Sequence, residues 1–141
     1  MSAIASGRHA TAGDVARVRK LLEAVGKTVE VSEDMMEAVT AVSGSGPAYF
    51  FYMIECLAAA GIAEGLSSEV SWKLARQTAL GAARLASESE EPLEELRRRV
   101  TSPGGTTEAA LDALNSAGFR SAVLKAVQAA VKRGRELGEK D

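Results

Sequence analysis

Two glycine-rich stretches, each leading into a segment patterned as a helix, hold the residues best suited to chemistry. In Thr101-Ser102-Pro103-Gly104-Gly105-Thr106-Thr107, four hydroxyl side chains surround a Gly-Gly pair. A helix start presents unpaired N–H groups and the positive end of the helix dipole, and glycine lets a ligand approach the backbone closely. Such a stretch suits a carboxylate or a phosphate. The same residues also suit a capped turn that stops one helix and starts the next. Ser43-Gly44-Ser45-Gly46-Pro47 admits the same two readings, with Pro47 as the opening residue of a helix. Both stretches supply hydrogen-bond donors and no strong base. That suits a reaction whose difficult step a cofactor carries, and it suits proteolysis or glycoside hydrolysis badly.

Other constellations are missing from the sequence. The single histidine, His9, lies in the N-terminal segment, shows no Ser-His or Cys-His pairing, and reads as a solvent-facing loop residue. Cys56, the one cysteine, excludes an internal disulfide and, lying in an apolar stretch, reads as a small inert hydrophobe. Together they are too few for a structural zinc site. Gly44-Ser45-Gly46 begins like a dinucleotide fingerprint, but Tyr49 stands where the third glycine belongs.

The elements that must position these stretches follow from composition and spacing. The 141 residues carry 17 Lys and Arg against 19 Asp and Glu, a net charge of −2, which offers no basic footprint for nucleic acid. Hydrophobic residues make up 46% and charged residues 26%, ordinary for a folded domain. Alanine occurs 26 times while aromatics reach only 4%, which favours closely packed helices. The N-terminus lacks the apolar run of a signal peptide, so a cytoplasmic setting is expected.

Residues 3–5 and 27–31 read as short strands. Between them a helix starts at Thr11 with Asp14 three positions on, carries Val15, Val18, Leu22 and Val25 on one face, and stops at Gly26. Two strands and one crossover helix cannot cover both faces of a sheet. Residues 1–33 therefore read as the tail of a larger α/β domain, and residues 34–141 as an all-helical domain.

A short helix is expected over 34–42, then a loop over 43–47. The next helix, over 47–64, is apolar on every side except Glu55. The central carboxylate argues against a membrane span, and a domain of this size has little room for a helix buried all round, so a partner subunit is expected to cover part of it. A second, mostly buried helix follows a break at 65–67, with Trp72 on one of its two apolar sides. Pro92 opens a charged helix over 93–100 whose Arg97, Arg98 and Arg99 face water. Helices over 108–115 and from Phe119 onward, the latter striped with Phe119, Val123, Val127, Val131 and Leu137, complete the reading.

The runs Ala38–Tyr49, Val100–Thr107 and Ala117–Arg120, in this order and spacing, resemble the signature of pyrroline-5-carboxylate reductase. That resemblance implies reduction of the cyclic imine Δ1-pyrroline-5-carboxylate to L-proline with NADPH or NADH. It implies a mainly α fold, the helical dimerisation domain of the pyrroline-5-carboxylate reductase / 6-phosphogluconate dehydrogenase C-terminal-like type, preceded by a β-α-β remnant of a Rossmann-like domain. It further implies an interlocked homodimer, in some members a decamer. By the same resemblance Ser102 and the amides of Gly104 and Gly105 hold the substrate carboxylate, with Thr106 beside them. Thr107 is the catalytic hydroxyl, bonded to the ring nitrogen, and Glu90 matches an acidic residue near the substrate. Gly44, Ser45, Gly46 and Pro47 border the nicotinamide end of the cofactor. The family's phosphate loop and most of its nucleotide-binding sheet are missing from these residues, so negligible turnover is expected of the chain alone.

Overall fold

The computed structural model describes residues 1–138, in two compact units: Met1–Pro47 with the described residues from Val123 on, and Ala48–Ala122. The first unit runs past residue 33 and takes in the last helix from Val123 on. In that first unit a β-carbon on Gly134 would lie 3.3 Å from the Glu37 side chain, so the last helix runs close against that residue.

The first unit opens with β1 (Ser2–Ile4), α1 (Ala12–Glu23) and β2 (Thr28–Glu30). The strands pair in parallel, Ser2 opposite Thr28 and Ile4 opposite Glu30, joined by the helical crossover that parallel pairing requires. Helix α1 starts where its cap is legible. The Asp14 N–H donates to Thr11 Oγ1 at 3.3 Å, and the Thr11 N–H donates to Asp14 Oδ2 at 3.0 Å, a reciprocal capping box. The Thr11 hydroxyl, which donates to Asp14 Oδ2 at 2.6 Å, and then the Thr11 N–H hold the Asp14 carboxyl below its ordinary pKa. The helix stops at Glu23 rather than Gly26, because the Val25 N–H already turns back to the Leu22 carbonyl at 3.0 Å. An Arg19–Glu30 ion pair ties α1 to β2.

A 3₁₀ turn (Glu33–Met35) and α2 (Met36–Val39) follow. Where a loop was expected over 43–47, the chain stays helical. Residues Thr40–Gly44 form one π turn, and α3 (Gly46–Ala63) begins directly after it. The Ser45 N–H donates to the Thr40 carbonyl at 2.8 Å, the wide i to i−5 bond of a single inserted residue.

In the second unit, Gly65, at φ +96°, turns the chain out of α3, and Ser67 caps α4 (Ser68–Glu88) by accepting from the Val70 N–H. The two helices meet through small residues. Ala58, Ser71 and Ala75 are buried, and the Ser71 hydroxyl donates to the Ala58 carbonyl at 2.7 Å. A β-carbon on Gly61 would sit 2.3 Å from Ser71 Oγ, so only glycine permits this approach. α5 (Leu93–Arg99) and α6 (Thr106–Ser116) complete the unit, and α7 (Phe119–Gly138) leaves a left-handed Gly118.

Large apolar side chains lie outside this small-residue core. Phe50, Phe51 and Tyr52 are 68%, 63% and 69% exposed. Successive residues lie about 100° apart around a helix, so three bare in a row leave more than half of the α3 circumference open. The expectation that α3 and α4 are buried is therefore not met within one chain: Leu74, Leu80 and Leu85 of α4 are exposed too, as is Cys56. Trp72 is half-buried, with the Arg76 guanidinium 5.2 Å from its ring. By length and composition alone, the helical run 33–63 is also long and apolar enough to cross a membrane.

Candidate functional site

The Val100–Thr107 segment joins two helices, and every bond in it is local. Helix α5 ends as Thr101 Oγ1 donates to the Arg97 carbonyl at 2.7 Å, so one of the four hydroxyls closes a helix. Pro103 fixes φ near −65°, Gly104 stands at φ +68°, and the Gly105 N–H donates to the Ser102 carbonyl at 2.9 Å. Proline at the second place, a left-handed glycine at the third and that closing bond define a type II turn. Gly105 then serves as the cap of α6, and a β-carbon on it would lie 2.9 Å from the Ser102 carbonyl oxygen.

The amides that the resemblance assigns to the substrate are engaged within the chain. Gly105 N–H bonds Ser102, and Gly104 N–H donates to Glu108 Oε2 at 2.7 Å. Among the described residues, no group accepts from the N–H of Thr106, Thr107 or Glu108, because α6 begins there and has no preceding turn. The hydroxyls of Ser102, Thr106 and Thr107 likewise have no partner among the described residues. Thr107 is half-buried, whereas Ser102 and Thr106 are exposed. The arrangement can bind an anion at the first α6 turn, with hydroxyls beside it to orient a polar ring.

Upstream, the two adjacent carboxylates differ in their surroundings. Glu90 is exposed, while Glu91 pairs with Arg99 at 2.7 Å and its second oxygen is buried without a partner among the described residues. Arg98 binds Glu95 through two bonds of 2.8 and 2.5 Å, which lowers the Glu95 pKa and raises that of Arg98. Arg97, Arg98 and Arg99 are exposed as expected, but two of the three hold acids that frame α5. Nothing in the spacing of two adjacent glutamates distinguishes which one turns inward.

Gly44, Ser45, Gly46 and Pro47 belong to the other unit. They do not form a free helix start, since the π turn takes up the Ser45 amide, and Gly46 is buried. The sequence reading missed Glu108. A glutamate three residues after a helix cap was the available signal.

The family model for pyrroline-5-carboxylate reductase dimerisation matches residues 33–137. The chain belongs to the pyrroline-5-carboxylate reductase family. It is 49% identical over 140 residues to the pyrroline-5-carboxylate reductase of Synechocystis, covering 99% of this chain and 52% of the relative. The Arabidopsis thaliana enzyme is 47% identical over 138 residues, 98% of this chain and 50% of the relative. Among solved structures, the Coxiella burnetii pyrroline-5-carboxylate reductase superposes with a TM-score of 0.91 at 41% identity, over 96% of this chain and 51% of that one. A Plasmodium falciparum pyrroline carboxylate reductase with NADP bound gives 0.84 at 33% identity, over 96% and 53%. The chain thus spans about half the length of the curated relatives it matches, and within the family it carries the dimerisation fold.

Proposed function

We propose that this chain supplies the dimer interface and the substrate-carboxylate loop of a pyrroline-5-carboxylate reductase, which reduces Δ1-pyrroline-5-carboxylate to L-proline in proline biosynthesis. The observation that carries this reading is the 102–108 turn, where three open amides and the hydroxyls of Ser102, Thr106 and Thr107 flank one helix start. An anion there gains from the helix dipole and from several N–H donors together. The substrate carboxylate seats on the amides of the first α6 turn and on Ser102. The Thr107 hydroxyl, in that first turn, bonds the ring nitrogen and sets which face of the imine is presented. Orientation of this kind contributes to rate by holding the reacting carbon in place.

The reaction requires a nicotinamide cofactor, NADPH or NADH, as the source of hydride. The residues present do not form its pyrophosphate cradle. The start of α1, the helix between the two strands, already holds the Asp14 carboxylate, and the π turn over 40–44 holds its own amide bond. The chain's own part is binding, orientation and assembly.

A homodimer, with a decamer as the larger form, accounts for the bare circumference of α3, and we place the protein in the cytoplasm. The test is an NMR titration of the chain with L-proline, following the Thr106, Thr107 and Glu108 amides. Saturable shifts at those amides are expected, while pyrrolidine, which lacks the carboxylate, leaves them unmoved. Absence of saturable shifts with proline overturns the substrate role and leaves an oligomerisation module derived from the family.

A further inference from the structure

We propose that Glu108 is a positioning residue for the carboxylate loop, acting through the Pro103–Gly104 peptide. The proposal rests on the substrate role assigned to this loop above. In a turn with Pro103 and Gly104 at its corners, the central peptide has two orientations related by a flip of about 180°. In the observed type II form the Gly104 N–H points toward the first turn of α6, where Glu108 Oε2 accepts it at 2.7 Å. The flip would carry the Pro103 carbonyl to that side. An oxygen lone pair would then face the open amides of Thr106 and Thr107 and compete with an incoming carboxylate.

Glycine at position 104 permits the type II form but does not impose it, since glycine adopts both signs of φ readily. The Gly105 N–H to Ser102 carbonyl bond closes either turn type and cannot choose between them. Among the described residues, the bond to Glu108 is the only hydrogen bond made by the Gly104 N–H. A charged acceptor makes that bond a strong one. The glutamate side chain, three residues into the helix from the Gly105 cap, reaches back one position further than in an ordinary capping box.

The experiment compares the full chain with Glu108→Ala and Glu108→Gln by proline titration, thermal melting and the nuclear Overhauser contact between Pro103 Hα and the Gly104 N–H. That contact is strong in a type II turn and weak in a type I turn. Glu108→Ala is expected to weaken the contact and to raise the proline dissociation constant about tenfold. Glu108→Gln keeps an acceptor, and its constant should stay within about threefold of the parent. Unchanged affinity in Glu108→Ala overturns the proposal. Tighter binding in Glu108→Ala also overturns it, by showing Glu108 to be a rival anion. Equal weakening in Glu108→Ala and Glu108→Gln in step with melting temperature makes the residue merely structural. If the parent chain binds no proline, the substrate role fails on its own account. The proton contact still decides whether Glu108 sets the turn.

Discussion

Gly105 shows how little freedom the loop has. A methyl group there would lie 2.9 Å from the Ser102 carbonyl oxygen, a backbone atom that cannot move without opening the turn. Gly105→Ala should therefore destabilise the chain by about 1–3 kcal/mol, comparable to overpacking a core, and abolish the proline-induced shifts. Gly104 has open space around it but stands at φ +68°, so Gly104→Ala should cost about 1–2 kcal/mol through backbone strain alone. Thermal melts of the two variants, with proline titrations alongside, separate collision from strain. The Gly-Gly pair was legible as a site of close backbone approach. Which amides stay open was not, because that depends on where the Glu108 side chain folds back and on the Ser102 carbonyl.

Among the elements, the α3–α4 pair depends on one glycine facing one serine. Gly61→Ala should cost about 1–3 kcal/mol by driving a methyl group into Ser71 Oγ. Ser71→Ala removes a buried hydrogen bond to the Ala58 carbonyl and should cost about 1 kcal/mol. The double variant should be more stable than the sum of the two predicts, since the colliding hydroxyl is gone, and a denaturant double-mutant cycle measures that coupling. Helix α1 carries a pH signature. The Asp14 pKa is lowered in the folded chain, so its stabilising effect is present above the ordinary aspartate value and is lost as pH falls through the folded value. Asp14→Asn should melt earlier than the parent near neutral pH and converge with it in acid, as read from melting temperature against pH. Helix starts at Thr11 and Phe119 were readable from local sequence. The π turn was not: a serine-glycine run before proline reads as a loop, and only the neighbouring helical bonds show it wound into the coil.

Ile4 apart, the described residues invert the usual arrangement, with small residues inside and large apolar ones outside. Ala41, Ala58 and Ala75 are buried while Phe50, Phe51 and Tyr52 stand open. Contiguous apolar surface of this kind marks an interface, in keeping with the dimerisation family to which the chain belongs. In the proposed homodimer, Phe51→Asp places a carboxylate in the interface, and an unpaired buried charge is strongly unfavourable. Sedimentation is expected to show monomer or aggregate for Phe51→Asp and dimer for the parent; a dimer in both would remove α3 from the interface.

Apolar periodicity, alanine content and three ordered motifs were enough to establish a helical chain of this family with a β-α-β segment ahead of it, because local propensity and hydrogen-bond capping act over a few residues. Packing settled the rest. The pairing of Glu91 with Arg99, the early end of α1 and the engagement of the Gly104 amide by Glu108 each turn on which partner a group meets in space. Those partners lie only three to eight residues away, but side-chain direction and turn geometry decide which of several nearby groups is met.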